Sequence, residues 1–127
     1  MATILLAEDN TSVRMSVRET LIRLGHDVLE VTNGLDAVRI YREMVPDVVL
    51  MDIGMPAKDG LTAVKEIRAF DPFARVAMLT AYGMENIVQQ ARELGVSDFI
   101  VKPFVRSRLL AGIDKMLRGP LAPMGAL

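Results

Sequence analysis

The stretch Asp47-Val48-Val49-Leu50-Met51-Asp52-Ile53-Gly54-Met55-Pro56 limits what this chain can fold into more than any other. Four apolar residues run into a single aspartate, and a turn punctuated by glycine and proline follows. A run this short, rich in valine and bounded by turn signals, reads as a strand buried on both faces. Such strands belong to sheets covered on both sides. Asp52 falls where the buried strand gives way to a loop. A carboxylate there costs free energy unless something compensates its charge, and the rest of the chain must supply the compensation.

The pattern around this stretch is regular. Thr3 to Ala7 reads as a first buried strand, ended abruptly by Glu8-Asp9-Asn10. Val13, Val17, Leu21 and Leu24 form a helical stripe over residues 11–24, capped by Asn10, Thr11 or Ser12 and terminated at Gly25. Asp27 to Val31 is a second strand, and the turn signal Asn33-Gly34 opens a helix running to about Met44. Its inward residues are Ala37, Val38 and Tyr41, and Pro46 stops it. After the Asp52 strand, Asp59 caps a third helix with Leu61, Val64 and Ile67, ending near Phe70. Arg75 to Leu79 is a fourth strand, with Thr80-Ala81-Tyr82-Gly83 as its exit loop. Ile87, Val88, Ala91 and Leu94 mark a fourth helix closed by Gly95. Asp98 to Val101 is a fifth strand, followed by Lys102-Pro103-Phe104 and a helix carrying Leu109, Ile113 and Leu117. Residues 1–118 read as one domain, and residues 119–127 as a short flexible tail rich in glycine and proline.

Strands alternating with helices call for a parallel sheet with helices on both faces. In such sheets ligands bind beyond the carboxyl ends of the strands. That rule turns positions in the sequence into a site. The first polar residues after the apolar runs are Glu8-Asp9, Asp52, Thr80 and Lys102. Strand two contributes nothing comparable.

Composition removes competing chemistries. The 127 residues carry 15 basic and 16 acidic side chains, for a formal net charge of -1. Bulk charge therefore offers no reason for a nucleic-acid partner. With no cysteine and a single histidine, His26, thiol chemistry and zinc sites built on Cys or His are excluded. No apolar stretch reaches the length of a membrane span, and the N-terminus has no basic segment before its apolar run. The expected location is cytoplasmic.

Three carboxylates alone on one rim repel one another and raise at least one pKa. A divalent cation removes that problem, and oxygen-only donors select a hard ion, Mg2+ first among them. Lys102 supplies a point charge for a phosphoryl oxygen, and Thr80 a hydrogen bond to another. An aspartate can act as a nucleophile toward phosphorus and form an acyl phosphate. The protein needs only to position the groups and neutralise charge.

Glu8-Asp9, Asp52 with Met55-Pro56, Thr80-Ala81 and Lys102-Pro103-Phe104, in this order at four strand ends, resemble the receiver domain of two-component response regulators over residues 3 to about 118. The stretch Asp98 to Phe104 is similar to chemotaxis-type, stand-alone receivers. The resemblance implies the flavodoxin-like doubly wound α/β fold, a five-stranded parallel sheet in order 2-1-3-4-5 with five helices. It implies Asp52 as phosphoacceptor, with Thr80 and Lys102 assisting, and a histidine kinase or histidine phosphotransfer protein as donor. It implies Mg2+ held by Asp9, Asp52 and the backbone carbonyl of Gly54, with Glu8 partly acting through water. A cis Lys102–Pro103 peptide and a switch pairing Thr80 with the strand-five aromatic, here Phe99, also follow, as do a downstream protein target and a monomer or weak dimer. Gly54 and Tyr82 occupy positions that modulate dephosphorylation. Phe99 lacks the hydroxyl of the tyrosine found in many relatives, so an output that needs that hydrogen bond is not available.

Each piece alone has a plain reading. Glu8-Asp9 serves a helix dipole, Asp52 caps a helix or makes an Asx-turn, and Thr80 and Lys102 are turn and solvent residues. His26 reads as polar surface, and Arg106, Arg108, Lys115 and Arg118 as a solvated helix face. Two further functions compete: an Mg2+-dependent phosphatase with an aspartyl nucleophile, and a receiver fragment of a larger regulator. Phosphatases of the haloacid-dehalogenase type place Asp-x-Asp after strand one, whereas Asn10-Thr11 follows Asp9 here.

Overall fold

The computed structural model describes residues 2–81 and 85–118. Tyr82 and the expected tail, residues 119–127, lie outside the described residues. Five strands alternate with five helices: β1 (Thr3–Ala7), α1 (Thr11–Arg23), β2 (Asp27–Val31), α2 (Gly34–Met44), β3 (Val48–Asp52), α3 (Gly60–Phe70), β4 (Val76–Thr80), α4 (Glu85–Glu93), β5 (Asp98–Val101) and α5 (Arg106–Arg118). The sheet is parallel throughout, in order β2-β1-β3-β4-β5.

The side-chain alternation of the strands divides the interior into two cores. Leu5, Ala7, Val49, Met51, Val76 and Met78 face α2, α3 and α4 through Ala37, Val38, Tyr41, Ala63, Val64, Ile67 and Ala91. Ile4, Leu6, Val48, Leu50, Ala77, Leu79 and Ile100 face α1 and α5 through Val17, Leu21, Leu109, Ile113 and Met116. The middle strand β3 is buried at every position, as its unbroken apolar run requires. Edge strand β2 carries exposed Asp27 and Glu30.

Local chemistry starts the helices where the sequence places them. The side chains of Asn10, Asn33 and Asp59 accept hydrogen bonds from Val13 N, Asp36 N and Thr62 N at 3.0, 2.8 and 2.9 Å. Each such cap contributes about 1 kcal/mol. Gly25 and Gly95 turn the chain after α1 and α4 at φ 87° and 73°, conformations glycine adopts without steric cost.

Four expectations are corrected. β4 runs from Val76 rather than Arg75 and includes Thr80, because its register with β3 opens at Val49↔Val76 and Lys102 N donates to Thr80 O at 2.6 Å. Helix α1 ends at Arg23, and Leu24 is an exposed cap residue, since the chain leaves helical geometry before Leu24 can complete the stripe. His26 is partly buried, and its Nδ1 accepts a hydrogen bond from Ala2 N at 3.1 Å. Arg108 is not a solvated residue of α5. It pairs with Asp98 through two hydrogen bonds of 3.0 and 2.9 Å and donates a third to Phe99 O at 2.8 Å.

The C-terminal cap of α2 carries strain. Val45 has φ 42° and ψ 67°, the left-handed region in which a β-branched side chain is disfavoured. Its N–H donates to Tyr41 O at 2.8 Å, and its side chain is largely exposed. Val45→Asn should therefore stabilise the fold by about 1 kcal/mol. Urea unfolding checks this: the midpoint should rise with the slope unchanged, and a fall in midpoint would mean that Val45 packing outweighs its backbone strain.

Candidate functional site

Period-two alternation decides which strand-end residues can meet. Counting on from Leu6, Leu50 and Ile100, which face the α1/α5 core, Glu8, Asp52 and Lys102 point to that same side of the rim. The structure brings these three together. Lys102 Nζ lies 2.5 Å from Glu8 Oε1 and 3.2 Å from Asp52 Oδ1. The Lys102–Pro103 peptide bond that follows is cis.

Glu8 is wholly buried, and Asp52 is 7% exposed. Glu8 Oε2 accepts a hydrogen bond from Asn10 N at 3.0 Å. Its Oε1 has the lysine charge beside it but, among the described residues, no partner in hydrogen-bond geometry. Asp9, exposed on the β1–α1 loop, completes the acidic group: Glu8, Asp9 and Asp52 each present a carboxylate oxygen within 4.8 Å of the others.

The electrostatics follow from this crowding. Burial raises the Asp52 pKa, the neighbouring Glu8 carboxylate raises it further, and Lys102 offsets only part of the rise. Burial alone would pull the Lys102 pKa down, but its contacts with Glu8 and Asp52 outweigh that and hold it above the ordinary lysine value. Glu8 and Asp52 thus share one ammonium, with the Asp9 carboxylate beside them. A buried carboxylate oxygen without a hydrogen-bond partner and an oxygen-only donor set fit a hard divalent cation.

Thr80 stands on the opposite side of the sheet, continuing the row of Val76 and Met78. Its hydroxyl donates to Ala81 O at 3.3 Å. Phe99 shares that side. It pairs with Met78 and sits diagonal to Thr80, whose own register partner is Val101. Gly54 N donates to Asp52 Oδ1 at 3.4 Å, and among the described residues a Cβ added at Gly54 would meet nothing within 4 Å. A cleft of about 230 Å3 runs beside Lys102, lined by Ser12, Val13, Ser16, Val17, Pro103 and Phe104.

Two supporting residues escaped the sequence reading. Arg14, one turn into α1, donates to the carbonyls of Glu8 at 3.1 Å and Asp9 at 3.5 Å and so ties down the acidic loop. No sequence signal distinguishes it from Arg18, its neighbour on the same face. Gly60 opens α3 so close to β3 that an added Cβ would lie 2.0 Å from Asp52 O. Its N–H donates to Ile53 O at 2.8 Å. A glycine directly after the Asp59 cap was the available signal.

Comparison with known proteins finds a family match over most of the chain. Residues 4–114 match the family model described as the response regulator receiver domain. Over 115 residues the chain is 44% identical to the chemotaxis protein CheY of Bacillus subtilis, covering 90% of this chain and 96% of that protein. It is 40% identical over 114 residues to CheY of Thermotoga maritima, covering 89% and 95%. Among solved structures, a response regulator receiver domain protein from Clostridium thermocellum superimposes with a TM-score of 0.87 at 26% identity, covering 92% of this chain and 94% of that one.

Two outcomes follow from the site's packing and charge. Asp52 has a raised pKa, so the folded chain holds its proton more tightly than the unfolded chain does, and this residue lowers stability as pH climbs through its titration range. Asp52→Asn in EDTA should raise the melting temperature at pH 7, with the gain shrinking as pH falls toward the range where Asp52 is protonated. A gain that grows on acidification would reverse the assigned sign. Gly60→Ala should cost about 1–3 kcal/mol by overpacking against the Asp52 carbonyl, measured by urea denaturation.

Proposed function

This chain belongs to the response regulator receiver domain family, and from that premise we propose that Asp52 is its phosphoacceptor and that phosphorylation there switches a protein-binding face. The observation that carries the reading is the contact of Lys102 Nζ with both Glu8 and Asp52, beside an acidic cluster with one exposed member, Asp9. A structural ion pair needs one carboxylate. Three gathered at an open rim suit a site that binds a cation and a phosphoryl group.

Asp9, Asp52 and the Gly54 carbonyl would hold Mg2+, with Glu8 acting partly through water. When bound, the ion neutralises charge on the phosphoryl oxygens. This chain's own residues do the rest. An oxygen of ionised Asp52 attacks phosphorus on a donor phosphohistidine, the phosphorus–nitrogen bond breaks, and the imidazole leaves with the electron pair and takes up a proton. The product is an acyl phosphate on Asp52. Lys102, held on the rim by the β5 backbone, presents its ammonium to one transferred oxygen. The Thr80 hydroxyl, which among the described residues donates a long bond to Ala81 O, would turn toward another. The open space above Gly54 admits donor and water.

The donor is a histidine kinase or a histidine phosphotransfer protein, and the cleft beside Lys102 offers it a surface. The similar CheY proteins are named for chemotaxis, and a protein target of that kind fits a chain with net charge -1 better than nucleic acid does. No described helix is long and apolar enough to cross a membrane, in keeping with a cytoplasmic signalling protein. The chain acts as a switch that modifies itself rather than as an enzyme that turns over a substrate, and it acts as a monomer or weak dimer. Residues 1–118 form the working unit.

Incubation with a small phosphodonor and Mg2+ should add one base-labile phosphoryl group, read by intact mass. Asp52→Asn should lose it, and equal labelling of that variant would move the acceptor elsewhere. Asp9→Ala should weaken Mg2+ binding at least tenfold, equivalent to ~1.4 kcal/mol, by titration calorimetry. Unchanged affinity would place the ion at other ligands.

A further inference from the structure

Phe99 is the aromatic residue of β5, on the Thr80 side of the sheet. It carries no hydroxyl, so nothing at the ring edge can anchor its position by a hydrogen bond. Its backbone is nevertheless clamped from both sides. Phe99 N donates to Asp98 Oδ1 at 2.9 Å, and Phe99 O accepts from Arg108 Nη2 at 2.8 Å. Arg108 is itself fixed by its two bonds to Asp98. Gly112 makes room for this clamp, since a Cβ there would lie 3.2 Å from Asp98 Oδ2. With the backbone held, the remaining freedom of Phe99 is rotation of its side chain.

Two things set that rotation. The ring is partly buried against the core that also takes Ile87, Leu94 and Val96. Over it lies the guanidinium of Arg92, 5.4 Å from the ring centroid. Arg92 sits in the last turn of α4, and its carbonyl accepts from Gly95 N at 2.9 Å, so its backbone is anchored where the helix closes. A ring that turns along the sheet toward Thr80 moves away from this anchored cation and loses the contact between the positive charge and the ring face.

We propose that Arg92 is the positioning residue of the switch: its guanidinium, lying over the Phe99 ring, takes the place of the missing hydroxyl bond, holds the ring in its present partly buried position, and opposes its turning toward Thr80. This rests on the phosphoacceptor reading of Asp52, because the space the ring would enter is released when the Thr80 hydroxyl moves toward the phosphoryl group. Arg92 thereby sets how far phosphorylation must work to redirect the ring. A plain alternative exists, in which Arg92 only complements the C-terminal dipole of α4. That role would affect helix stability and leave the ring where it is.

The test is NMR of the full chain with 13C-labelled phenylalanine, with and without Mg2+ and beryllofluoride as phosphoryl mimic. In Arg92→Gln without beryllofluoride, the population of rings turned toward Thr80 should rise about 2- to 5-fold, while Arg92→Lys should recover at least half of the difference. In a Phe99→Leu background, Arg92→Gln should no longer alter the beryllofluoride-induced shift of the Thr80 amide. Unchanged Phe99 signals in Arg92→Gln, with Thr80 still responding to beryllofluoride, would overturn the proposal and leave the phosphoacceptor reading standing. If neither Thr80 nor Phe99 responds in the unaltered chain, that reading falls and the proposal falls with it.

Discussion

Lys102 stands between two carboxylates that have little access to water. Its ammonium meets Glu8 at 2.5 Å and Asp52 at 3.2 Å, and one positive charge cannot offset both in a region of low dielectric. The rim therefore keeps an excess of negative charge, and Asp52 keeps a raised pKa. Such an arrangement weakens the bare fold, which is how a site poised for a cation and a transferable group differs from a structural ion pair. The stability it forgoes must come from elsewhere. The buried β3 strand and the three Asx-capped helices α1, α2 and α3 are the visible sources.

The sheet's alternation places the acidic group and the proposed switch pair on opposite sides of the sheet. Glu8, Asp52 and Lys102 share the α1/α5 side, while Thr80 and Phe99 belong to the side covered by α2, α3 and α4. In the proposed switch, a change at Asp52 crosses the sheet to Phe99 through Thr80, which ends the strand next to β3 and whose backbone carbonyl accepts from Lys102 N at 2.6 Å. Arginines then fix what lies beyond. Arg108 ties α5 to β5 through Asp98 and Phe99 O. Buried Arg68 ties the end of α3 to the turn after α4, donating to Pro72 O at 3.3 Å and Gly95 O at 2.7 Å.

Much of this was legible in the chain itself. The short apolar runs define five strands, and the polar residue ending each run defines the rim, because alternating strands and helices leave one arrangement in which both faces of a parallel sheet are covered. Asn10, Asn33 and Asp59 announce their helices by local side-chain chemistry that needs no tertiary partner. Burial of Asp52 followed from four apolar neighbours, and the gathering of Glu8, Asp9, Asp52 and Lys102 followed from strand ends meeting at one edge.

Tertiary structure decided what depends on distance between remote segments. Arg108 looks like any other surface arginine of an amphipathic helix until Asp98, ten residues earlier, is placed beneath it. His26 reads as surface until Ala2 N reaches its ring. Gly60 is an ordinary helix start until α3 lies against the Asp52 carbonyl, and Arg92 an ordinary last-turn cation until β5 brings Phe99 under it. Periodicity and capping are local and survive in one dimension. Ion pairs, ring contacts and close backbone approaches join residues whose separation in sequence carries no mark of their meeting, so only the folded chain assigns them.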